Sequence, residues 1–125
     1  MTARRVNRFG VDDWHVPLAS GSDPAQGEAA GERGARRAFL AHGDAGFCAQ
    51  VVCMPPQFEA PLHAHDYAEV FMVLDRGCTF DGQPMERFDC TVVEADQTYE
   101  FTAGPDGLTF LVVRTSEAAY SGTGP

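Results

Sequence analysis

The stretch of sequence that decides the fold runs from residue 61 to residue 77 and reads PLHAHDYAEVFMVLDRG. Its histidines, His63 and His65, are two residues apart, so on a β-strand they point to one face, roughly 6.6 Å apart along the backbone. A short polar break over residues 66–68 separates them from Glu69, which opens the apolar run VFMVL. This pattern predicts two antiparallel strands, and folding one onto the other returns Glu69 to the side of the histidines.

Two imidazoles and a carboxylate that converge from rigid strands can hold a divalent metal ion and leave coordination positions open. A His-x-His pair on a surface strand is often only solvated, but the carboxylate at a turn-compatible spacing favours the ligand interpretation here. Two histidines and a carboxylate suit Fe(II), which binds oxygen and substrate, and Zn(II), which acidifies a water or polarises a carbonyl. Mn and Ni suit the same ligands, so the sequence predicts one divalent ion and does not choose the metal.

These residues resemble a known family. The pattern His63-x-His65-x3-Glu69, followed by Gly77, is similar to the first motif of the cupins. The resemblance spans residues 50–114 and implies an all-β jelly-roll (double-stranded β-helix) barrel, with one metal ion in the barrel mouth of most members. The glycine lies one residue later than in the family's pattern, and Arg76 stands in the expected glycine place.

The stretch that matches the second cupin motif covers residues 88–101 and reads FDCTVVEADQTYEF. Its rhythm of strand, turn and strand fits the family, but Phe88, Glu94 and Asp96 replace the motif's Gly, Pro and Gly. Tyr99 stands where a histidine ligand belongs, and no later residue of the chain is a histidine. The phenol could be a fourth metal ligand, a general acid or base, or a hydrogen-bond donor to substrate. Alternatively, it fills the core with its hydroxyl near the rim.

Aromatic side chains predict the wall of a substrate pocket. Phe71 shares its strand face with the metal-binding carboxylate, and Phe101 and Phe110 lie on later strands. Gln50 adds a polar group if its face of the strand FCAQVVCM points inward, whereas with the opposite parity Phe47 takes that place. A mouth of this kind suits a small organic molecule, such as an aromatic or polyketide-like one.

Length and composition favour one domain with attached termini. At 125 residues and 44% hydrophobic content, the chain is long enough for one core and too short for two. Short strands with turn residues between them predict an all-β barrel or sandwich over residues 35–115. Residues 1–34 are expected to form an N-terminal arm and a flexible loop, because residues 17–34 are rich in Gly, Ala, Ser, Pro and Glu. Residues 116–125 are expected to be a loose tail.

The charge and the absent residue types exclude several functions. A net charge of −9 argues against nucleic acid and anionic membranes, which need a basic face. No apolar stretch is long enough to span a membrane and the N-terminus lacks a signal core, so we expect a cytoplasmic protein. Lys is absent, which excludes lysine Schiff-base chemistry and suggests a GC-rich, bacterial genome. The four Cys have no CxxC spacing and are expected to be buried thiols.

Two functions follow from these observations. The first is a metal-dependent enzyme (oxygenase, isomerase, lyase or cyclase) in which Tyr99 and Glu69 are catalytic, and His63, His65, Glu69 and Tyr99 hold the metal. The alternative is a non-catalytic cupin that binds a small molecule with a weakened or absent metal site. Cupins of the dimethylsulfoniopropionate-lyase kind carry a catalytic Tyr two residues after the Glu; Phe71 stands there, which argues against that lyase chemistry. The resemblance and the exposed sheet edges of a small barrel predict a homodimer.

Overall fold

The computed structural model describes Val6, residues 32–115 and residues 120–122. The arm and loop expected before residue 32 therefore lie outside the described residues, apart from Val6. The elements are β1 (Arg36–His42), a 3-10 turn (Asp44–Gly46), β2 (Cys48–Met54), β3 (Glu59–His65), β4 (Glu69–Phe80), β5 (Gln83–Met85), β6 (Cys90–Val93), β7 (Tyr99–Arg114) and β8 (Tyr120–Gly122). Within this part of the chain, no helix is both long and apolar enough to cross a membrane.

Two long antiparallel strands, β4 and β7, connect the two halves of the fold. Residues 69–73 of β4 pair with residues 110–114 of β7, and residues 78–80 pair with residues 101–103. The register shifts twice over residues 73–78, where bulges bend paired strands. Each long strand therefore contributes one segment to each of two sheets.

The remaining strands complete two sheets around these segments. One sheet has the order β1, β2, end of β7, start of β4, β6; the other has the order β8, β3, start of β7, end of β4, β5. Every pairing is antiparallel. The prediction of an all-β fold is confirmed.

Part of the expected loose tail is a strand. Residues 120–122 form β8 and pair with residues 63–65 of β3. Without β8, the histidine-bearing end of β3 would present an unpaired edge, which costs hydrogen bonds and invites association. The tail interpretation is therefore wrong for these three residues.

Aromatic rings fill the space between the sheets. The ring centroid of Phe71 lies 4.5 Å from that of Phe110, 5.4 Å from Phe101 and 5.0 Å from Phe80. Phe71 has no exposed surface, and Val73 packs against the same cluster. Tilted and offset rings at these distances stabilise a core beyond the area they bury. This cluster sets the spacing of the sheets and is the floor on which the polar residues of the barrel mouth lie.

The four cysteines form no disulfide, but they are not all buried. Cys48 and Cys78 are buried, Cys53 is half-buried and Cys90 is exposed, so the expectation of buried thiols is wrong for Cys90. Burial raises the pKa of the Cys78 thiol to about 11, so this thiol stays protonated at neutral pH.

Three positions at which the cupin motifs carry glycine have other residues here, and all three keep the left-handed backbone conformation that favours glycine. Arg76, Phe88 and Asp96 have φ angles of 69°, 73° and 62°, in the left-handed region. This conformation costs an ordinary residue about 1–2 kcal/mol and is tolerated best by short polar residues such as Asp. Arg76 gains a hydrogen bond from its Nη1 to the carbonyl of Asp106, at 2.6 Å. The Phe88 ring lies 5.0 Å from the Arg87 guanidinium and remains 63% exposed, and the Phe88 backbone N–H donates to the carbonyl of Val73 at 2.7 Å.

Gly77, the glycine that the first motif retains, is needed for space. A Cβ atom there would lie 2.8 Å from the carbonyl oxygen of Met85, closer than real Cβ contacts. The glycine of the motif lies one residue later in this chain, so two residues divide its roles. Arg76 adopts the left-handed backbone conformation, and Gly77 allows the close approach to the backbone of Met85.

Phe88→Gly should stabilise the protein. Relief of about 1–2 kcal/mol of left-handed strain should outweigh the flexibility that glycine adds to the unfolded chain and the lost contact with Arg87. We expect the free energy of unfolding in urea to rise by about 0.5–1 kcal/mol. The control is Val92→Gly, at a strand position that is 64% exposed, which should lower this free energy because φ there is not left-handed. Destabilisation by both changes would contradict the assignment of strain to Phe88.

Candidate functional site

The two cupin motifs meet where β3 pairs with β7. His63 lies directly opposite Tyr99, so both side chains occupy the same face. The ring centroids of His63 and Tyr99 are 4.3 Å apart, and those of His63 and His65 are 5.2 Å apart. All three side chains are buried, with exposed fractions of 6% for His63, 8% for His65 and 4% for Tyr99. The structure thus places the histidine pair and the tyrosine in one cluster on the inner face.

Glu69 lies beside this cluster and is held from two sides. The hydroxyl of Tyr99 donates to Oε1 at 2.5 Å, and Nε of Arg114 donates to Oε2 at 2.7 Å. Glu69 is 2% exposed and the side chain of Arg114 is 11% exposed, so the ion pair is buried. A carboxylate at such depth needs a positive partner, and hydrogen bonds to a charged group at these lengths are strong.

Sequence analysis missed Arg114. It follows the apolar run LTFLVV at the end of a strand, where an arginine usually reaches solvent. The structure instead pairs it with Glu69 across the β4–β7 ladder. The available signal was chemical: a carboxylate predicted to be buried requires a counter-charge, and the register of two distant strands decides which residue supplies it.

His63 is held in one tautomer and is neutral at pH 7. Its Nδ1 lies 2.7 Å from the carbonyl oxygen of Pro61, which can only accept, so Nδ1 carries the proton and Nε2 carries the lone pair. Burial lowers the pKa of His63 below its ordinary value of 6.5. The Pro61 hydrogen bond and the charge of Glu69 oppose this shift, and the charge of Arg114 adds to it.

The predicted metal ligands are not assembled as a metal centre. Among the residues that the structure describes, no three His, Cys, Asp or Glu side chains are grouped as a metal ion requires. The contacts of Glu69 give the physical reason, because its two oxygens face Arg114 and Tyr99 and its charge is already balanced. A divalent ion on this carboxylate would lie beside a guanidinium and compete with it. In this arrangement the residues do not fit a His63–His65–Glu69 centre, and the hydroxyl of Tyr99 is directed at Glu69.

The structure shows which face of β2 points inward, a question that the sequence left open, and Gln50 lies on that face. Gln50 is 5% exposed and lies opposite Val112, a core residue, so its side chain points inward. Its Oε1 accepts a hydrogen bond from Nη1 of Arg37 at 3.4 Å. Phe47, the alternative, precedes β2 and is 52% exposed.

The three predicted wall residues lie in the packed floor. Phe71, Phe101 and Phe110 have exposed fractions of 0%, 6% and 5%. Their rings contact one another, so they support the polar cluster from below. Contact between these rings and a bound molecule remains a prediction.

A groove of about 700 Å³ lies between β3, the end of β4 and the start of β7, and its described lining contains no side chain of this cluster. Its charged lining residues are Glu59, Asp81 and Glu100, all exposed. Among the described residues, no histidine, cysteine or arginine lines it.

Solved structures share this fold. The chain superposes on the polyketide cyclase RemF from Streptomyces resistomycificus with a TM-score of 0.70 at 18% identity, covering 99% of this chain and 87% of that one. It also matches an RmlC-like cupin from Shewanella frigidimarina (TM-score 0.57, 19% identity, 66% of this chain and 76% of that one). A third match is the DMSP lyase DddQ from Ruegeria pomeroyi (TM-score 0.66, 20% identity, 88% of this chain and 60% of that one).

The chain is a cupin-fold domain. The cupin jelly roll predicted from the first motif is therefore confirmed, although the second motif is degenerate. At these identities the likeness shows the fold alone. No protein-family model matches the chain, and no curated protein matches it in sequence.

The lowered pKa of His63 predicts a loss of stability in mild acid. Because the pKa is lower in the folded state than in the unfolded one, the unfolded chain takes up the proton first as the pH falls. Above pH 6.5, the ordinary pKa of the unfolded chain, His63 should not change the free energy of unfolding. As the pH falls from 6.5 toward the pKa of the folded state, His63 should lower that free energy. We expect this pH dependence in the wild type and its reduction in His63→Gln, measured in urea from about pH 8 to about pH 5.

NMR spectroscopy can measure the pKa of His63 directly. An NMR titration of the imidazole proton signals, with His63→Gln used to assign them, should give a midpoint for His63 below 6.5. A midpoint at or above that value would show that Glu69 and Pro61 outweigh burial.

Proposed function

We propose that this cupin-fold domain binds a small organic molecule in the barrel mouth and acts on it by hydrogen bonding and proton transfer. In this proposal Arg114, rather than a metal ion, balances the charge of Glu69. The observation that carries the proposal is the occupation of both Glu69 oxygens, one by Arg114 and the other by Tyr99.

The side chains of the cluster have complementary roles in proton transfer. His63 is neutral at pH 7 and has its lone pair on Nε2, which suits a general base. Because the O–H of Tyr99 is directed at Glu69, the phenol oxygen can accept a proton from a bound molecule while its own proton moves to the carboxylate. Reactions that begin with removal of a proton, as in isomerases, lyases and cyclases, match this set of groups.

The likeness to a polyketide cyclase guides the choice of substrates and does not assign one. RemF covers nearly the whole chain, but at 18% identity it supports only the shared fold. Small aromatic and polyketide-like molecules are therefore the first compounds to screen.

A metal-dependent enzyme is the second candidate, and one observation favours it. The Pro61 carbonyl fixes Nδ1 of His63 as the donor, an arrangement that orients histidine ligands in many metal sites. His63 and His65 would hold an Fe, Zn, Mn or Ni ion, joined by Glu69 or Tyr99 once these release each other. The ion would act as a Lewis acid or acidify a bound water.

The homodimer expected from the resemblance is also proposed. Val70 and Val92 are neighbours across the β4–β6 ladder, with exposed fractions of 38% and 64%, and β6 is an edge strand. A second copy would cover this apolar face. Light scattering of the purified protein tests the dimer, and a monomer at tens of micromolar would contradict it.

Metal analysis of matched arginine variants tests the proposal. Wild-type protein purified without a metal-affinity column should carry little Fe, Mn, Ni or Zn and show no saturable uptake of Zn(II). Arg114→Met should gain saturable Zn(II) uptake, because it releases the Glu69 carboxylate. The control Arg87→Met removes an exposed arginine and should behave as wild type.

Two outcomes separate the candidates. Near-stoichiometric metal in the wild type that is lost in His63→Ala would favour the metal-dependent enzyme and contradict the proposal. Turnover of a screened compound that survives chelation and is lost in Tyr99→Phe, with binding retained, would support it.

A further inference from the structure

Arg114 has more hydrogen-bond donors than Glu69 uses. A guanidinium presents five N–H groups in a rigid plane, and only Nε donates to the carboxylate. Within the part of the chain that the structure describes, the two terminal amino groups of Arg114 make no hydrogen bond. The side chain is 11% exposed, and neither amino group is among the described buried atoms that lack a partner, so both are accessible from solvent. Both amino groups can therefore donate to a bound molecule.

Gln50 adds donors on the same inner face. Its carbonyl oxygen accepts from Arg37, so its amide nitrogen keeps two N–H groups, which bond to no described residue. Gln50 pairs with Val112, and Arg114 pairs with Cys48, so Gln50 and Arg114 are diagonal neighbours across the β2–β7 ladder. Diagonal neighbours on one face lie about 7–8 Å apart, within reach of one ligand group for long side chains.

We infer that the small molecule of the proposed function carries a carboxylate, which the terminal amino groups of Arg114 and the amide of Gln50 bind. This inference rests on the proposed function and names the class of its ligand. The guanidinium plane matches a carboxylate in a bidentate manner. In the proposed function, His63 and Tyr99, whose ring centroids are 4.3 Å apart, would then act on the part of the molecule that loses a proton.

The charge of the site favours a monoanion over a dianion. Glu69 already balances the Arg114 charge at 2.7 Å, so the pair is neutral and a doubly charged phosphate would add two uncompensated negative charges, against one for a carboxylate. The net charge of the chain, −9, also repels anions at long range. Recognition of the carboxylate must therefore come from these local donors.

Calorimetric titration with benzoate and its neutral isostere benzamide tests the inference. Benzoate should bind wild type at least about tenfold more tightly than benzamide, because only benzoate pairs with the guanidinium. Arg114→Lys keeps a positive charge beside Glu69 but removes the surplus donors. It should weaken benzoate binding about tenfold to a hundredfold and leave benzamide binding unchanged.

Further variants guard against misfolding and indirect effects. Gln50→Leu should also weaken benzoate binding, by severalfold, without touching the Glu69–Arg114 pair. Arg87→Lys changes an exposed arginine and should bind benzoate as wild type does. Thermal unfolding of each variant establishes that the protein titrated is folded.

The contrary outcomes are distinct. Equal affinity for benzoate and benzamide, benzoate binding that is unchanged in Arg114→Lys, or no binding of benzoate would each overturn the carboxylate inference. Benzoate binding that is abolished by EDTA would instead place a metal in the site and overturn the proposed function. Binding that resists EDTA but does not depend on Arg114 would overturn this inference alone.

Discussion

The buried ion pair between Glu69 and Arg114 is the interaction on which the barrel mouth depends. It joins the start of β4 to the end of β7, the strands that contribute to both sheets. Tyr99, at the start of β7 in the other sheet, donates to the same carboxylate. One side chain therefore ties the two sheets together at the polar end of the core. Removing a single partner of such a pair costs about 3–5 kcal/mol, because the remaining charge stays buried.

The same pair changes what the cupin site can do. A metal centre would need the Glu69 carboxylate as a ligand, whereas here Arg114 and Tyr99 occupy it. The charge balance is thus supplied by the chain itself, and His63 beside it is neutral at pH 7. The stacked rings of Phe71 and Phe110 form an apolar layer next to this cluster. The low local dielectric of this layer strengthens the electrostatic interactions of the cluster.

Local patterns and the family resemblance predicted the fold and named four of the five residues of the polar cluster: His63, His65, Glu69 and Tyr99. The spacing of His63 and His65 and the apolar run after Glu69 depend only on strand periodicity, so their strands could be inferred without knowing any pairing. The sequence also showed that Arg76 and Phe88 stand at glycine positions of the motifs. The structure shows that both residues keep the left-handed backbone conformation of those turns.

What the sequence could not supply depends on pairing between distant strands. The partner of Glu69 is 45 residues away and is set by the β4–β7 register, which periodicity does not reveal. The inward parity of Gln50 depends in the same way on its pairing with Val112. The strand at residues 120–122 forms because β3 has an open edge, a property of the assembled sheet rather than of that segment.

A double-mutant cycle on Glu69 and Arg114 tests the central claim most directly. The free energies of unfolding in urea would be measured for wild type, Glu69→Gln, Arg114→Met and the double variant. If the two side chains balance each other's buried charge, each single change destabilises strongly, and the double variant loses less than the sum by about 2 kcal/mol or more. Losses that add to within about 0.5 kcal/mol would show that the pair does not carry the charge balance of the site.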